Sequence, residues 1–213
     1  MKYIYLIKHA GPFVDIKNYE KYDTTEEVLW EDFNRNMILS PLGEENAKKL
    51  CNVNELKGIN EIYASNSSRA IETAKYLAES NNLKIKLDKR INERKFGIDY
   101  LSELPKDFTK NSFENKDLKI KDGESLNELD TRFKSFINDL LNNDSNKIAI
   151  VMHGIILLSY LKTICDTFTF DGKTFDIRYK DNIILNGTPK NPSVYKIEFD
   201  NSKVINIENI KLD

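Results

Sequence analysis

Two short apolar runs, far apart in the chain, each end in a histidine followed by a small residue. Lys2-Tyr3-Ile4-Tyr5-Leu6-Ile7-Lys8 leads into His9-Ala10-Gly11-Pro12, and Lys147-Ile148-Ala149-Ile150-Val151-Met152 leads into His153-Gly154. The 213 residues contain only these two histidines. A compact apolar block bounded by turn formers reads as a buried strand. Ligands of open α/β sheets bind just beyond the carboxyl ends of strands. The repeated arrangement therefore predicts two strand tips that share one site.

The rest of the pattern fits such a sheet. Ile59 to Ala64 and Lys84 to Leu87 read as further short strands. The helix between them, Arg69 to Ser80, has Ala70, Ala74, Leu77 and Ala78 at helical spacing. Ser40 as N-cap and Pro41 in the first turn start another helix, with Leu42, Ala47 and Leu50 as its expected inner face. Glu124 to Asn142 is amphipathic through Leu126, Leu129, Phe133, Ile137, Leu140 and Leu141, while Ile155 to Ile164 is apolar nearly all round. Asp171-Gly172 and Asn186-Gly187 are turn signals. Ser193 to Phe199 and Lys203 to Ile207 alternate around Asp200-Asn201, as in a hairpin closing the sheet at an edge.

Short strands alternating with helices predict an α/β fold: a layered α/β/α sandwich, its central sheet mainly parallel, with helices on both faces. Residues 1–213 read as a single domain with cap or loop insertions around 13–37 and 100–122. The first insertion includes a short helix near Glu26 to Asn34, and the second, through Tyr100 to Lys121, is polar and Lys-rich.

Composition narrows the partners. With 32 basic and 34 acidic residues the net charge is -2, which gives no reason to expect nucleic acid or an anionic membrane. Cys51 and Cys165 stand alone, matching no metal or redox spacing, and read as buried free thiols of a reducing compartment. The opening apolar run is too short for a secretory leader, and no stretch of about 20 apolar residues occurs. These features read as a cytoplasmic protein.

Three further residues stand out. Arg69 opens a helix, where the backbone already carries partial positive charge. It is either an exposed arginine pointing to solvent or half of an anion clamp, because helix N-termini bind phosphate. Glu93 lies within Lys89-Arg90-Ile91-Asn92-Glu93-Arg94-Lys95-Phe96-Gly97, a solvated basic loop or a general acid beside an anionic substrate. Lys8 adds a cation beside His9. A phosphate monoester asks for such a set: cations for its oxygens, a histidine nitrogen to attack phosphorus, and an acid for the leaving oxygen. Cationic neighbours bias His9 toward its neutral, attacking form. P-loop, HExxH and Asp-rich patterns are absent from the sequence, so the reading includes no cofactor and no metal.

These blocks resemble the histidine phosphatase superfamily, which includes phosphoglycerate mutases and many acid phosphatases. Lys8-His9-Ala10 stands where that family has Arg-His-Gly. Ala64-Ser65-Asn66-Ser67-Ser68-Arg69-Ala70-Ile71-Glu72-Thr73-Ala74 is similar to its second block. Asn92-Glu93-Arg94-Lys95-Phe96-Gly97 resembles the acid block of its mutase branch. Gly123-Glu124-Ser125 with Glu128 and Arg132, His153-Gly154, Leu39-Ser40-Pro41-Leu42-Gly43 and Asn191-Pro192-Ser193-Val194 match other blocks.

The resemblance implies a phosphatase acting on a small phosphorylated metabolite. His9 would be the phosphohistidine nucleophile and Glu93 the proton donor. Arg69 and His153 would hold the phosphoryl group, with Lys8 and Gly154 completing the phosphate site. Two departures are specific to this chain: Lys8 keeps charge but loses the two-pronged geometry of arginine, and Ala10 disfavours positive φ. Mutase-type transfer is the first alternative. The acid block favours it, and the lack of any Arg in Tyr100 to Lys121 speaks against it. A phosphate-binding member weakened in turnover through Lys8 and Ala10 is the second.

Overall fold

The computed structural model describes residues 1–13 and 29–212. Its main sheet runs in the order β3 (Ile85–Leu87), β2 (Glu61–Ala64), β4 (Lys147–Met152), β1 (Lys2–Lys8), β8 (Ser193–Asp200), β9 (Lys203–Ile210). The first four strands are mutually parallel, and β8 and β9 add antiparallel at one edge as the closing hairpin. The predicted layered α/β architecture is the one observed.

The period of two along β1 splits the core into two halves. Ile4 and Leu6 face α5 (Leu126–Leu141) and α6 (Gly154–Ile164), among Phe133, Phe136 and Leu157. Tyr5 and Ile7 face α3 (Ser68–Ser80), where Ala70, Ala74 and Leu77 allow close approach. α2 (Pro41–Lys49) packs on α3. Its start is as expected: Ser40 Oγ accepts from the Gly43 amide at 2.9 Å, with Pro41 in the first turn. Its inner face is not. Leu42 is 64% exposed, because the stripe that meets the protein is Gly43, Ala47 and Leu50, and Leu42 lies one position (about 100°) off it. Gly43 has no room for a side chain, since a Cβ there would meet the Gly11 carbonyl oxygen at 1.9 Å.

A second, three-stranded sheet was not foreseen: β5 (Thr167–Phe170), β6 (Phe175–Tyr179) and β7 (Asn182–Gly187). Asp171-Gly172 turns between β5 and β6 as read. Asn186-Gly187 does not turn a hairpin but ends β7, and the turn before that strand lies at Lys180, with φ +52°. This sheet explains the apolar circumference of α6, which contacts β1 of the main sheet as well as β5 and β6. It also covers the outer edge of β9. The Tyr179 hydroxyl donates to the Val204 carbonyl (3.0 Å) and Lys180 Nζ to that of Ile205 (2.7 Å), occupying groups that an open edge would offer to another chain.

The two regions read as separate insertions meet. Of the first, residues 14–28 lie outside those described, and with them the start of the expected Glu26 to Asn34 helix. The described part forms α1 (Trp30–Asn36). The second, read as polar and Lys-rich, contains α4 (Phe108–Glu114) with Phe108 and Phe113 buried. Trp30, Phe96, Ile98 and Phe108 form one apolar cluster that ties α1 to both. Cys51 and Cys165 are unpaired and half-buried rather than fully buried. Among the described residues no helix is long and apolar enough to cross a membrane.

Candidate active site

Register delivers the site. Lys8 pairs with Met152 and Ala64 with Val151, so three parallel strands end level and release His9, His153 and Ser65 side by side. The His9 amide still donates to the Met152 carbonyl (2.9 Å) and the Ser65 amide to that of Val151 (3.1 Å). The two imidazoles lie edge to face, with centroids 5.2 Å apart. Both are buried, His9 being 7% and His153 1% exposed.

Arg69 joins them. It is only 4% exposed, which excludes the solvent-facing alternative. Its Nε–H donates to His9 Nε2 at 3.1 Å, and a terminal N–H donates to His153 Nδ1 at 3.0 Å. Asn34, at the end of α1, holds the outer edge of the guanidinium with its backbone carbonyl and, at 2.9 Å, its side-chain oxygen. Because guanidinium only donates, both contacted ring nitrogens must be the unprotonated ones. His9 therefore carries its proton on Nδ1, which donates to the Ala10 carbonyl at 2.8 Å, and presents a lone pair at Nε2. His153 carries its proton on Nε2, which donates to Ser65 Oγ at 2.7 Å, with Ser67 Oγ at 3.2 Å.

Two serines hold His153 from the loop before α3. They stand among residues suited to capping α3, yet Ser67 makes no side-chain cap bond and both hydroxyls turn to His153. The spacing of two between them, just before a helix, was the available signal. Ala10 is accommodated without strain: it is absent from the residues of positive φ, and its amide donates to Thr73 Oγ1 at 3.0 Å.

Burial first, and then the Arg69 charge, hold His9 well below the usual histidine range, against the raising effect of the Ala10 carbonyl. His153 is lowered in the same way, again mainly by burial and next by Arg69. Burial brings Arg69 down to about 10, which leaves it cationic at neutral pH. This has a consequence for stability. Both imidazoles are neutral in the fold and take up a proton near pH 6.5 once unfolded, so below that pH the unfolded chain binds more protons. Stability should therefore fall on acidification from about pH 6.5, each ring contributing a slope of about 1.4 kcal/mol per pH unit until its folded pKa is reached. Urea unfolding of wild type and His153→Gln between pH 7.5 and 5 checks this: the variant should show a shallower decline, and parallel curves would contradict it.

Glu93 reaches the same cavity from the loop after β3. Its carboxylate accepts from the amides of Ile155 (3.0 Å), Ile156 (3.2 Å) and Arg94 (3.0 Å), which seats it on the N-terminus of α6, where negative charge is favoured. Arg132 fixes the loop itself. It donates to the carbonyls of Arg90 (2.6 Å) and Asn92 (2.9 Å) while paired with Glu124 (2.5 Å). Gly97, at φ +73°, and Gly123 let this loop and the cap segment touch backbone to backbone, since a Cβ on Gly97 would meet the Ile120 carbonyl oxygen at 2.2 Å. Gly154 begins α6 immediately after His153. Lys8 stands apart from the others. Its charge helps to lower both imidazoles, but its Nζ donates to the Pro189 carbonyl at 2.9 Å and it does not line the cavity.

The cavity holds about 700 Å³ and opens between α1, the Glu93 loop and the cap. Asn34, Ser65, Ser67, Asn92 and Arg132 thus join the residues expected from sequence. Chemically, the arrangement offers a neutral imidazole lone pair, a buried cation and a second ring beside it, with a fixed carboxyl group at the cavity wall.

A profile described as Histidine phosphatase superfamily (branch 1) matches residues 30–200. The probable phosphoglycerate mutase GpmB of Enterobacter sp. (strain 638) is 29% identical over 134 residues, covering 59% of this chain and 62% of that protein. Among solved structures, a mycobacterial glucosyl-3-phosphoglycerate phosphatase in complex with inorganic phosphate superposes with a TM-score of 0.68 at 15% identity, covering 99% of this chain and 96% of its own. Phosphoglycerate mutase from Bacillus anthracis superposes with a TM-score of 0.69 at 21% identity, covering 98% and 92%. At these identities the two structures establish likeness of fold.

Proposed function

The chain belongs to the histidine phosphatase superfamily, branch 1, and on that premise we propose that it is a phosphomonoester hydrolase working through a covalent phosphohistidine on His9, without a metal. The observation that carries this reading is Arg69 donating at once to Nε2 of His9 and Nδ1 of His153. One buried cation beside both rings supports a nucleophilic nitrogen on His9 and an anion site next to it. An incoming phosphoryl group would take the Arg69 N–H groups for its oxygens and free the His9 lone pair.

Nε2 then attacks phosphorus, the bond from phosphorus to the ester oxygen breaks, and Glu93 supplies the proton to the departing alcohol. Water attacks the phosphohistidine in the second step. Glu93 takes the proton back, the N–P bond breaks, and inorganic phosphate leaves. His153 would steady the phosphoryl oxygens with Arg69 from Nδ1, in the tautomer that carries its proton there, with Nε2 then accepting from the Ser65 hydroxyl. Gly154 would complete the phosphate site at the start of α6, and Lys8 would contribute through its field.

Mutase-type transfer has the Asn92 to Gly97 block and the Enterobacter relative in its favour. Wild type should release phosphate from an aryl phosphate in the presence of EDTA and, when quenched during turnover, carry an acid-labile, base-stable phosphoryl group. Turnover that vanishes with EDTA and returns with a divalent ion would overturn the metal-free mechanism. Phosphoryl groups moving to another substrate hydroxyl, in place of release, would decide for the mutase.

A further inference from the structure

Beyond the phosphoryl pocket, the wall of the cavity indicates what the phosphate is attached to. Among the described residues that line it, none is aliphatic, and His153 supplies the one aromatic ring. The described lining has seven cations and six carboxyl groups, so with Arg69 spent on the phosphoryl group the basic and acidic side chains are equal in number. Four of those cations pair with four of those carboxylates inside the wall itself. Arg90 is held by Asp88 and Asp139, and Glu93 by backbone amides. Lys89 and Glu31 remain, of opposite sign.

The polar groups left over are carboxamides. Asn34 spends its side-chain oxygen on Arg69, and Asn92 spends its own on the Asn66 amide at 3.1 Å, which leaves both NH2 groups unspent. The Asn66 carboxamide makes no hydrogen bond among the described residues. Neutral amides donate to and accept from hydroxyl groups. They offer no compensation for a second anion, and an alkyl or aryl group pressed against them would strip their water without replacing it.

Resting on the phosphatase reading, we propose that the alcohol released is a neutral polyol or sugar, bound through hydrogen bonds to Asn34, Asn66 and Asn92. Three esters with the same number of carbons test this with the full chain: glycerol 3-phosphate, 3-phosphoglycerate and propyl phosphate. The first is neutral and hydroxylated beyond the phosphate, the second adds a carboxylate, and the third has no hydroxyl groups. Phosphate release from glycerol 3-phosphate should exceed the others in kcat/KM by about tenfold or more, the effect of one or two hydrogen bonds. Asn66→Leu should reduce the preference for glycerol 3-phosphate over propyl phosphate about tenfold. An equal or reversed order, or a preference untouched by Asn66→Leu, removes this proposal and leaves the phosphatase standing. No release from any of the three or from an aryl phosphate removes both.

Discussion

His9→Asn is expected to abolish phosphate release, by on the order of 10⁴-fold or more in kcat, because it removes the atom proposed to receive the phosphoryl group. Asparagine is the informative choice. His9 is buried, and Arg69 Nε–H needs an acceptor where Nε2 now stands. Alanine would leave that donor unsatisfied and open a cavity, so a loss of activity could be a loss of fold. The Asn oxygen can accept from Arg69, while its amide has no nucleophilic lone pair. The variant should retain the wild-type unfolding midpoint within a few degrees, still bind inorganic phosphate through Arg69 and His153, and yield no acid-labile phosphoenzyme. Turnover within tenfold of wild type would show that the nucleophile is not His9.

The second large effect is on stability. Arg94→Leu should destabilise the protein by about 3–5 kcal/mol, the range for disrupting a buried, hydrogen-bonded charge. Arg94 is 2% exposed, and its partners are two carbonyls and a hydroxyl: Glu124 O (2.7 Å), Leu118 O (2.6 Å) and Ser112 Oγ (2.8 Å). The guanidinium also lies over the Phe108 ring at 4.7 Å. It is a rivet between the Glu93 loop and the cap, not a ligand for substrate. Leucine leaves three buried acceptors facing an apolar side chain. Urea unfolding at pH 7 measures the loss, and a change below 1 kcal/mol would mean that the cap is held by its apolar cluster alone.

Sequence and structure divide unevenly over this site. Strand tips and histidines were legible because a buried strand must be apolar and a polar ring at its end interrupts that run visibly. Arg69 was legible as an anomaly, a cation at the positive end of a helix, although the sequence left open whether it faced solvent or an anion. The burial of Arg94 could not be read. A buried arginine satisfied by carbonyls looks, in sequence, like any exposed one in a basic loop. α4 was missed because its two buried phenylalanines sit among polar residues and pack against partners from other segments. Ser65 and Ser67 were not singled out, since serine just before a helix commonly serves as a cap, and only the position of His153, 86 residues or more away, gives them another use.

By itself, then, the order of residues determined the α/β layering, the pairing of His9 with His153 at two strand ends, and the family, since these follow from local periodicity and from short blocks in fixed succession. Tertiary structure alone decided which ring nitrogen carries each proton, that Asn34 clasps Arg69, that Lys8 turns to Pro189, and that a second sheet encloses α6. The reason is physical: strand and helix periodicity is written within a few residues, whereas hydrogen-bond partners and burial depend on groups brought together from distant parts of the chain.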